Sequence, residues 1–514
     1  MDRQKAELPK PNRRFALFGL GALAGAGAGI AGSHAWLRGL VPPIPGGLSE
    51  GDAPQSQLQP AAATLDDASQ LSRTPVWKHA TIRTPILDVA STSIVALMRS
   101  AAAEGRPVIA SAARHSMGGQ SMARDGLTIT LDQKMIEGDE EARTYRVGGG
   151  TRWNHVIHAL DEHGFSPAVM QSNNDFGVAS TFAVNAHGWP VPWSGCGSTV
   201  QSFRMITATG QAVECSREDN PETFRATMGG YGLTGIITDL SLTMVPNQLL
   251  EPTFEKMHGD GLGPRFREVL EAKPAVSMAY GRLDVTIDGF FDNALLITYE
   301  PTSDQTDLPE AQGSGFVSKA SRHIFRAQLE NEPIKRSRWW VETVLGPMIA
   351  GPVTRNSLLN EPVATLDDGN PDRTDILHEY FIPPERLQEF LAVCRSEIPN
   401  SYQQLLNVTI RYVKADAESI LAYAPDDRVA AVMLFSQEKS ARAEADMERL
   451  TRRLIDGALA AGGSYYLPYR LHATLEQFEA AYPRAREFIA AKKKIDPEGR
   501  FSNALWRNYL EPMA

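Results

Sequence analysis

The chain has 514 residues, 42% of them hydrophobic, which suits two or three domains with an ordinary core. Its 51 basic and 61 acidic residues give a net charge of −10 (51 − 61), which argues against a nucleic-acid binder working through a basic surface. The three cysteines, Cys196, Cys215 and Cys394, fall in no CxxC or Cys/His cluster, so they predict buried thiols, at most one bridge and no metal site.

In chain order, Arg13 and Arg14 precede an uncharged, Gly/Ala-rich stretch over 15–37. A basic pair before a soft apolar run predicts an export signal of the twin-arginine kind, with Ser33-His34-Ala35 as a small-x-small cleavage site. The stretch is equally long enough to remain as a membrane anchor. Both readings of 1–40 put the folded protein outside the cytoplasm, periplasmic or tethered. Residues 41–75 have linker composition.

Folded pattern begins near Val76. Ile94, Leu97 and Met98 share a helical face in a segment ending at Gly105, followed by the short strand "PVIAS". "LTITL" (127–131) and "TYRV" (144–147) predict strands. A second helix starts at Thr151, buries Trp153, Val156, Ile157 and Leu160, and closes at Gly164. From about 250 to 469, "FFDNALLITYE", "LLNVTIRYV" and "VAAVMLF" predict an antiparallel sheet interleaved with helices. "TLEQFEAAYPRAREFIAAKKK" predicts one amphipathic helix burying Phe478, Tyr482, Phe488 and Ile489.

Residues 110–121, "ASAARHSMGGQS", carry the strongest local signal. Mostly small side chains after a strand let a backbone loop approach a diphosphate and turn its N–H groups onto it. The segment resembles the pyrophosphate loop of the FAD-linked vanillyl-alcohol oxidase and p-cresol methylhydroxylase family. That resemblance implies that Ser111, Ala112, Ala113, Arg114, His115, Ser116, Gly118, Gln120 and Ser121 bind FAD, with His115 bonded covalently to the flavin. "DFGVASTFAVNAHGW" (175–189) resembles the segment lining the flavin ring and diphosphate, with Ala179 and Ser180 in place of a glycine pair. It adds Val178, Asn185, His187 and Gly188 to the cofactor set. "ATMGGYGLTGIITDLSLTMVP" (226–246) matches a glycine-rich turn and return strand, adding Gly230, Gly232, Gly235, Ile236 and Ile237. "DPEGRFSN" (496–503) resembles the closing segment and adds Asn503.

The resemblance implies an α+β protein: a two-part p-cresol-methylhydroxylase-type FAD-binding domain over 76–247, an α+β substrate domain with an antiparallel sheet over 248–470, and a segment 471–514 returning to the FAD domain. Alditol oxidases carry Glu-x-Arg where "VTIRYV" stands, so Arg411 matches the Arg and Thr409 replaces the Glu. Sugar-lactone and prenyl-phosphoryl ribose oxidases carry a Lys near "YYLPYRLHAT", where Tyr469 stands here with His472 close by. Tyr469, Arg411 and His472 are the expected catalytic residues, acting on a small-molecule substrate with oxygen or another electron acceptor.

Other chemistries fit less well. "RVGGGTRW" follows a strand and opens a helix, but Trp153 stands where a dinucleotide-binding G-x-G-x-x-G needs its last Gly. G-x-S-x-G is absent around Ser116, and no HExxH occurs. Three functions stay open: oxidation of a CH–OH group of an alcohol, sugar or lactone; a cytokinin-dehydrogenase-like oxidation of a CH–NH group; and a tethered flavin-binding protein without activity.

Overall fold

The computed structural model describes residues 63–313, 326–361 and 370–514. Arg13, Arg14 and the expected signal or anchor lie outside the described residues. The described residues include no helix long and apolar enough to cross a membrane, and no cluster of metal-ligating side chains.

The described residues form four sheets, of which the smallest pairs Thr64–Leu65 with Thr74–Pro75 and the other three organise the fold. The first of these three is parallel, with β1 (Lys78–Ile82) and β2 (Val108–Ser111) flanking β3 (Leu127–Leu131). All five side chains of β3 are buried, as a central parallel strand requires. Helix α1 (Leu87–Ala103) covers this sheet with Ile94 and Met98, and Gly105 follows it at φ +61.

The second sheet is antiparallel. Its strands are β4 (Ile136–Asp139), β5 (Thr144–Gly148), β6 (Phe165–Pro167), β7 (Val200–Ile206), β8 (Ala212–Ser216) and β9 (Ile236–Pro246). Their order is β8-β7-β9-β5-β4, with β6 on the end of β9. Helix α2 (Trp153–Asp161) packs here through the four predicted apolar residues. The triple glycine before it serves packing: a Cβ on Gly149 would lie 2.5 Å from the Ile237 carbonyl oxygen, and one on Gly150 2.4 Å from the Leu131 carbonyl carbon.

The third sheet has eight antiparallel strands: β10 (Leu249–His258), β11 (Met278–Leu283), β12 (Asn293–Pro301), β13 (Val353–Thr354), β14 (Arg373–Ile382), β15 (Gln404–Val413), β16 (Arg428–Glu438) and β17 (Ser464–Tyr465). They run β13-β10-β12-β11-β15-β16-β14-β17. Side chains alternate between faces, and residues paired across strands share one. The row Arg282–Thr409–Val432–Glu379 therefore crosses four strands on a single face. The other face carries Ile376, Tyr380, Ile410 and Met433 and packs on helices α3 (Leu387–Glu397) and α4 (Ala441–Ala460).

The expected single C-terminal helix is two, α5 (Leu475–Ala481) and α6 (Ala485–Ile495). Pro483 falls between them; its missing N–H and ring clash end a helix. Phe478, Tyr482, Phe488 and Ile489 are buried nonetheless. Beyond α6 the chain returns to the parallel sheet, where Val108 donates to the Arg500 carbonyl at 2.7 Å and bridges Phe501. The three cysteines are free and buried.

Candidate functional site

A cavity of about 1860 Å³ lies between the 111–121 loop, the 171–189 segment and the face of the large sheet that bears Glu379. Single-ligand pockets run about 300–1,000 Å³, so the space suits a large cofactor together with a substrate.

The loop forms one end. Ser111 to Ser116, Gln120 and Ser121 line the cavity. Arg114 adopts φ +54, turning the chain inside the loop. Among the described residues, the backbone N–H groups of Ala113, Arg114, His115 and Ser116 have no protein acceptor, whereas those of Met117, Gly118 and Gly119 are bound to Pro468, Gln120 and Asp67. Four unmatched amides at a cavity wall form an anion-binding concavity. The Gln120 side chain donates to the Leu467 and Tyr469 carbonyls at 2.7 and 2.9 Å, fastening the loop to the sheet side. Gly118 is confined rather than exposed to the cavity, since a Cβ there would lie 2.6 Å from the Tyr469 carbonyl oxygen.

His115 sits where the loop meets the next segment. Its Nε2 is 3.4 Å from Asp175 Oδ2, and its ring lies 4.3 Å from that of Phe176. Gly177 brings this segment against the loop: a Cβ there would meet the Ala112 Cβ at 2.6 Å. Gly177→Ala should therefore force the two walls apart, an overpacking cost of about 1–3 kcal/mol. The expected result is a clearly lower ratio of bound flavin to protein, read from visible against ultraviolet absorbance. An unchanged ratio would show that this contact does not shape the cofactor site.

Not every expected cofactor residue faces the cavity. Ser180, His187 and Gly232 do. Val178, Ile236 and Ile237 are core, and Ala179 packs on Gly149. Gly188, Gly230 and Gly235 are glycines for close packing, with Cβ positions 1.9 to 2.9 Å from neighbouring carbonyl oxygens. The Asn185 side chain accepts from the Gly197 N–H and donates to Asp416, both at 2.8 Å. Asn503 donates to the Tyr231 carbonyl at 3.0 Å and caps the Trp506 N–H. These two amides brace the walls from behind.

The sheet face forms the other end. His187 Nε2 lies 2.6 Å from Glu379 Oε1, and the Tyr469 hydroxyl donates to Glu379 Oε2 at 3.0 Å. Both His187 and Glu379 are about 4% exposed. Burial alone would raise the Glu379 carboxyl, but His187, Arg411 and Tyr469 outweigh it and hold it below the ordinary carboxylate range. An ionised carboxylate only accepts hydrogen bonds, so His187 presents Nε2–H to it. The His187 Nδ1 is buried without a hydrogen-bond partner. The Tyr469 phenol is pushed well above its usual range by burial and by the Glu379 charge, so it stays protonated at neutral pH as a donor.

His472 is not in this group. His378 and Glu379 are adjacent in β14, so their side chains point to opposite faces. His472 lies with His378 behind the sheet, its Nδ1 3.1 Å from Thr451 and its Nε2 2.9 Å from Glu444. Its buried imidazole helps anchor the 466–474 connection to α4.

The residues fit FAD: the loop amides suit a diphosphate, and the cavity continues from them to the His187–Glu379 face. A family described as "FAD binding domain" matches residues 90–216. The L-galactono-1,4-lactone dehydrogenase of Brassica oleracea is 23% identical over 211 residues, covering 41% of this chain and 34% of that protein, so the match spans about a third of its length. The decaprenylphosphoryl-beta-D-ribose oxidase of Mycolicibacterium smegmatis is 22% identical over 448 residues, covering 80% of this chain and 91% of that one. The crystal structure of 6-hydroxy-D-nicotine oxidase from Arthrobacter nicotinovorans shares the fold at a TM-score of 0.58 and 16% identity, over 89% of this chain and 98% of that one. Residues 90–216 thus match an FAD binding domain, and the chain shares the fold of that oxidase through nearly its whole length.

Proposed function

We propose that the protein oxidises a CH–OH group of a small alcohol, sugar or lactone, with His187 as the proton acceptor. The observation that carries this reading is the buried His187–Glu379 pair, with an unmatched Nδ1 on a residue of the cavity wall. When bound, FAD supplies the two-electron acceptor for hydride. The chain must then position the alcohol and take its proton.

His187 accepts the hydroxyl proton at Nδ1. Glu379 fixes the tautomer through Nε2–H and stabilises the charge that develops on the ring, the role of a carboxylate behind a catalytic histidine. Tyr469 and Arg411 keep Glu379 ionised. Arg411 also presents its guanidinium to a substrate oxygen, while the apolar and aromatic surroundings of His187, including Tyr466 and Phe381, exclude water. A Lys, which sugar-lactone oxidases are expected to place near Tyr469, is not needed in this arrangement.

The test is anaerobic bleaching of the bound flavin by panels of alcohols, lactones and amines. Alcohols or lactones should bleach it and matched amines should not; bleaching by amines alone would overturn the reading in favour of CH–NH oxidation. Tyr469→Phe removes one hydrogen bond to a charged group, about 1.5–3 kcal/mol. The reduction rate should accordingly drop roughly ten- to hundredfold, with the flavin spectrum kept. A rate within twofold of wild type would take Tyr469 out of the site.

A further inference from the structure

The sheet wall carries more positive charge than it neutralises. Arg282 pairs across strands with Thr409, and Arg411 stands two residues further along the same face. Both line the cavity, close enough for their guanidinium charges to oppose each other. Among the described residues neither makes an ion pair. Arg282 donates to Thr409 Oγ1 at 2.5 Å and lies 5.2 Å from the Tyr280 ring centroid, and the buried Nε of Arg411 has no hydrogen-bond partner.

The nearby carboxylates are already engaged. Glu342 pairs with Arg338 at 2.8 Å, and Glu379 with His187 and Tyr469. Among the described residues, three guanidinium groups therefore face two carboxylates at this end of the cavity. Like charges held together at half-buried positions are costly, and an anion between them removes that cost. Guanidinium forks match the oxygens of carboxylate and phosphate in particular.

We propose that Arg282 and Arg411 form an anion subsite, so that the substrate is an alcohol bearing a carboxylate or phosphate group a few bonds from the carbon oxidised at His187. This rests on the CH–OH reading above, and the test separates the two.

The holoenzyme would be assayed with a dye acceptor on matched pairs: an aldonolactone against its open aldonate, and a sugar alcohol against its phosphate ester. In the wild type the anionic member of one pair should have a kcat/KM about tenfold or more above its neutral partner, and which pair does so distinguishes carboxylate from phosphate. Arg282→Met should lower that ratio on the order of ten- to hundredfold, mainly through KM, as expected for loss of charged hydrogen bonds. Arg282→Lys, which keeps the charge but not the fork, should fall between. In parallel, inorganic phosphate and citrate would be titrated into the resting enzyme, following the flavin absorbance against a chloride control. Saturation should shift to roughly tenfold higher concentration in Arg282→Met. A wild-type ratio near one, or a titration indifferent to Arg282, overturns the subsite. Anion binding with no reduction by any alcohol keeps the subsite and removes the CH–OH reading; neutral alcohols oxidised without anion preference do the reverse.

Discussion

Replacing Glu379 by Gln should slow reduction of the flavin by substrate on the order of 10²- to 10⁴-fold, the range that general acid–base groups contribute. Glu379 accepts from His187 at 2.6 Å and from Tyr469 at 3.0 Å in a buried setting. Glutamine keeps the shape but offers one acceptor and one donor. It cannot receive both hydrogen bonds, and it carries no charge to offset a proton arriving on His187. The loss should therefore fall on kcat and kcat/KM together, as for an interaction strengthened in the transition state. Anaerobic stopped-flow with the true substrate measures it, and a rate within threefold of wild type would contradict the assigned role. The same residue carries a stability signature. The Glu379 carboxyl is held below its ordinary range, since its partners outweigh burial. A depressed folded-state pKa contributes stability that is fully present above the unfolded value, about 4.3, and is lost as pH falls through the folded one. The wild type should therefore lose more Tm than Glu379→Gln as pH drops below about 4.

The parts of the site that the sequence revealed are those made by neighbours in the chain. The 111–121 loop shows itself through its run of small residues, and β3, β9, β15 and β16 through apolar pattern. Glu379 was missed. It stands in "DILHEYFI", which carries no motif, and it meets His187 across 192 positions. Its one local sign is a carboxylate among apolar residues on a buried strand, where an acid needs a buried partner. Thr409 looked like the loss of a catalytic acid, yet the row Thr409–Val432–Glu379 supplies a carboxylate on the same face two strands away. His472 misled for a related reason. Three positions from Tyr469 it looked equivalent, but only the strand pairing decides which side of a sheet a connection serves. Asn185, Gly188 and Asn503 belong to family-like motifs, and their contacts brace backbone instead of facing the cavity. A motif records where small or polar residues are required, and packing accounts for that requirement as readily as ligand contact does.

His115→Ala should convert flavin that stays with the polypeptide through acid precipitation into flavin released to the supernatant, while native protein remains yellow. The reasoning begins with position. His115 lines the cavity one residue beyond the left-handed turn at Arg114, and its own backbone N–H is among the four unmatched amides. Its ring is oriented from two sides, by Phe176 at 4.3 Å and by Asp175 at 3.4 Å from Nε2. With Nε2 turned to the carboxylate, the neutral ring keeps its lone pair on Nδ1, and a neutral imidazole nitrogen is the nucleophile needed to bond a flavin methyl carbon. The Ala variant loses that nitrogen but keeps the Ala113–Ser116 amides and the Ala112–Gly177 contact, so binding without the bond should persist. Asp175→Asn, retaining a hydrogen-bond acceptor but not the charge, should lower the acid-stable fraction without abolishing it. Colour that washes out of the denatured wild type would rule out the covalent bond while leaving FAD binding intact, and acid-stable colour persisting in His115→Ala would place the bond on another residue.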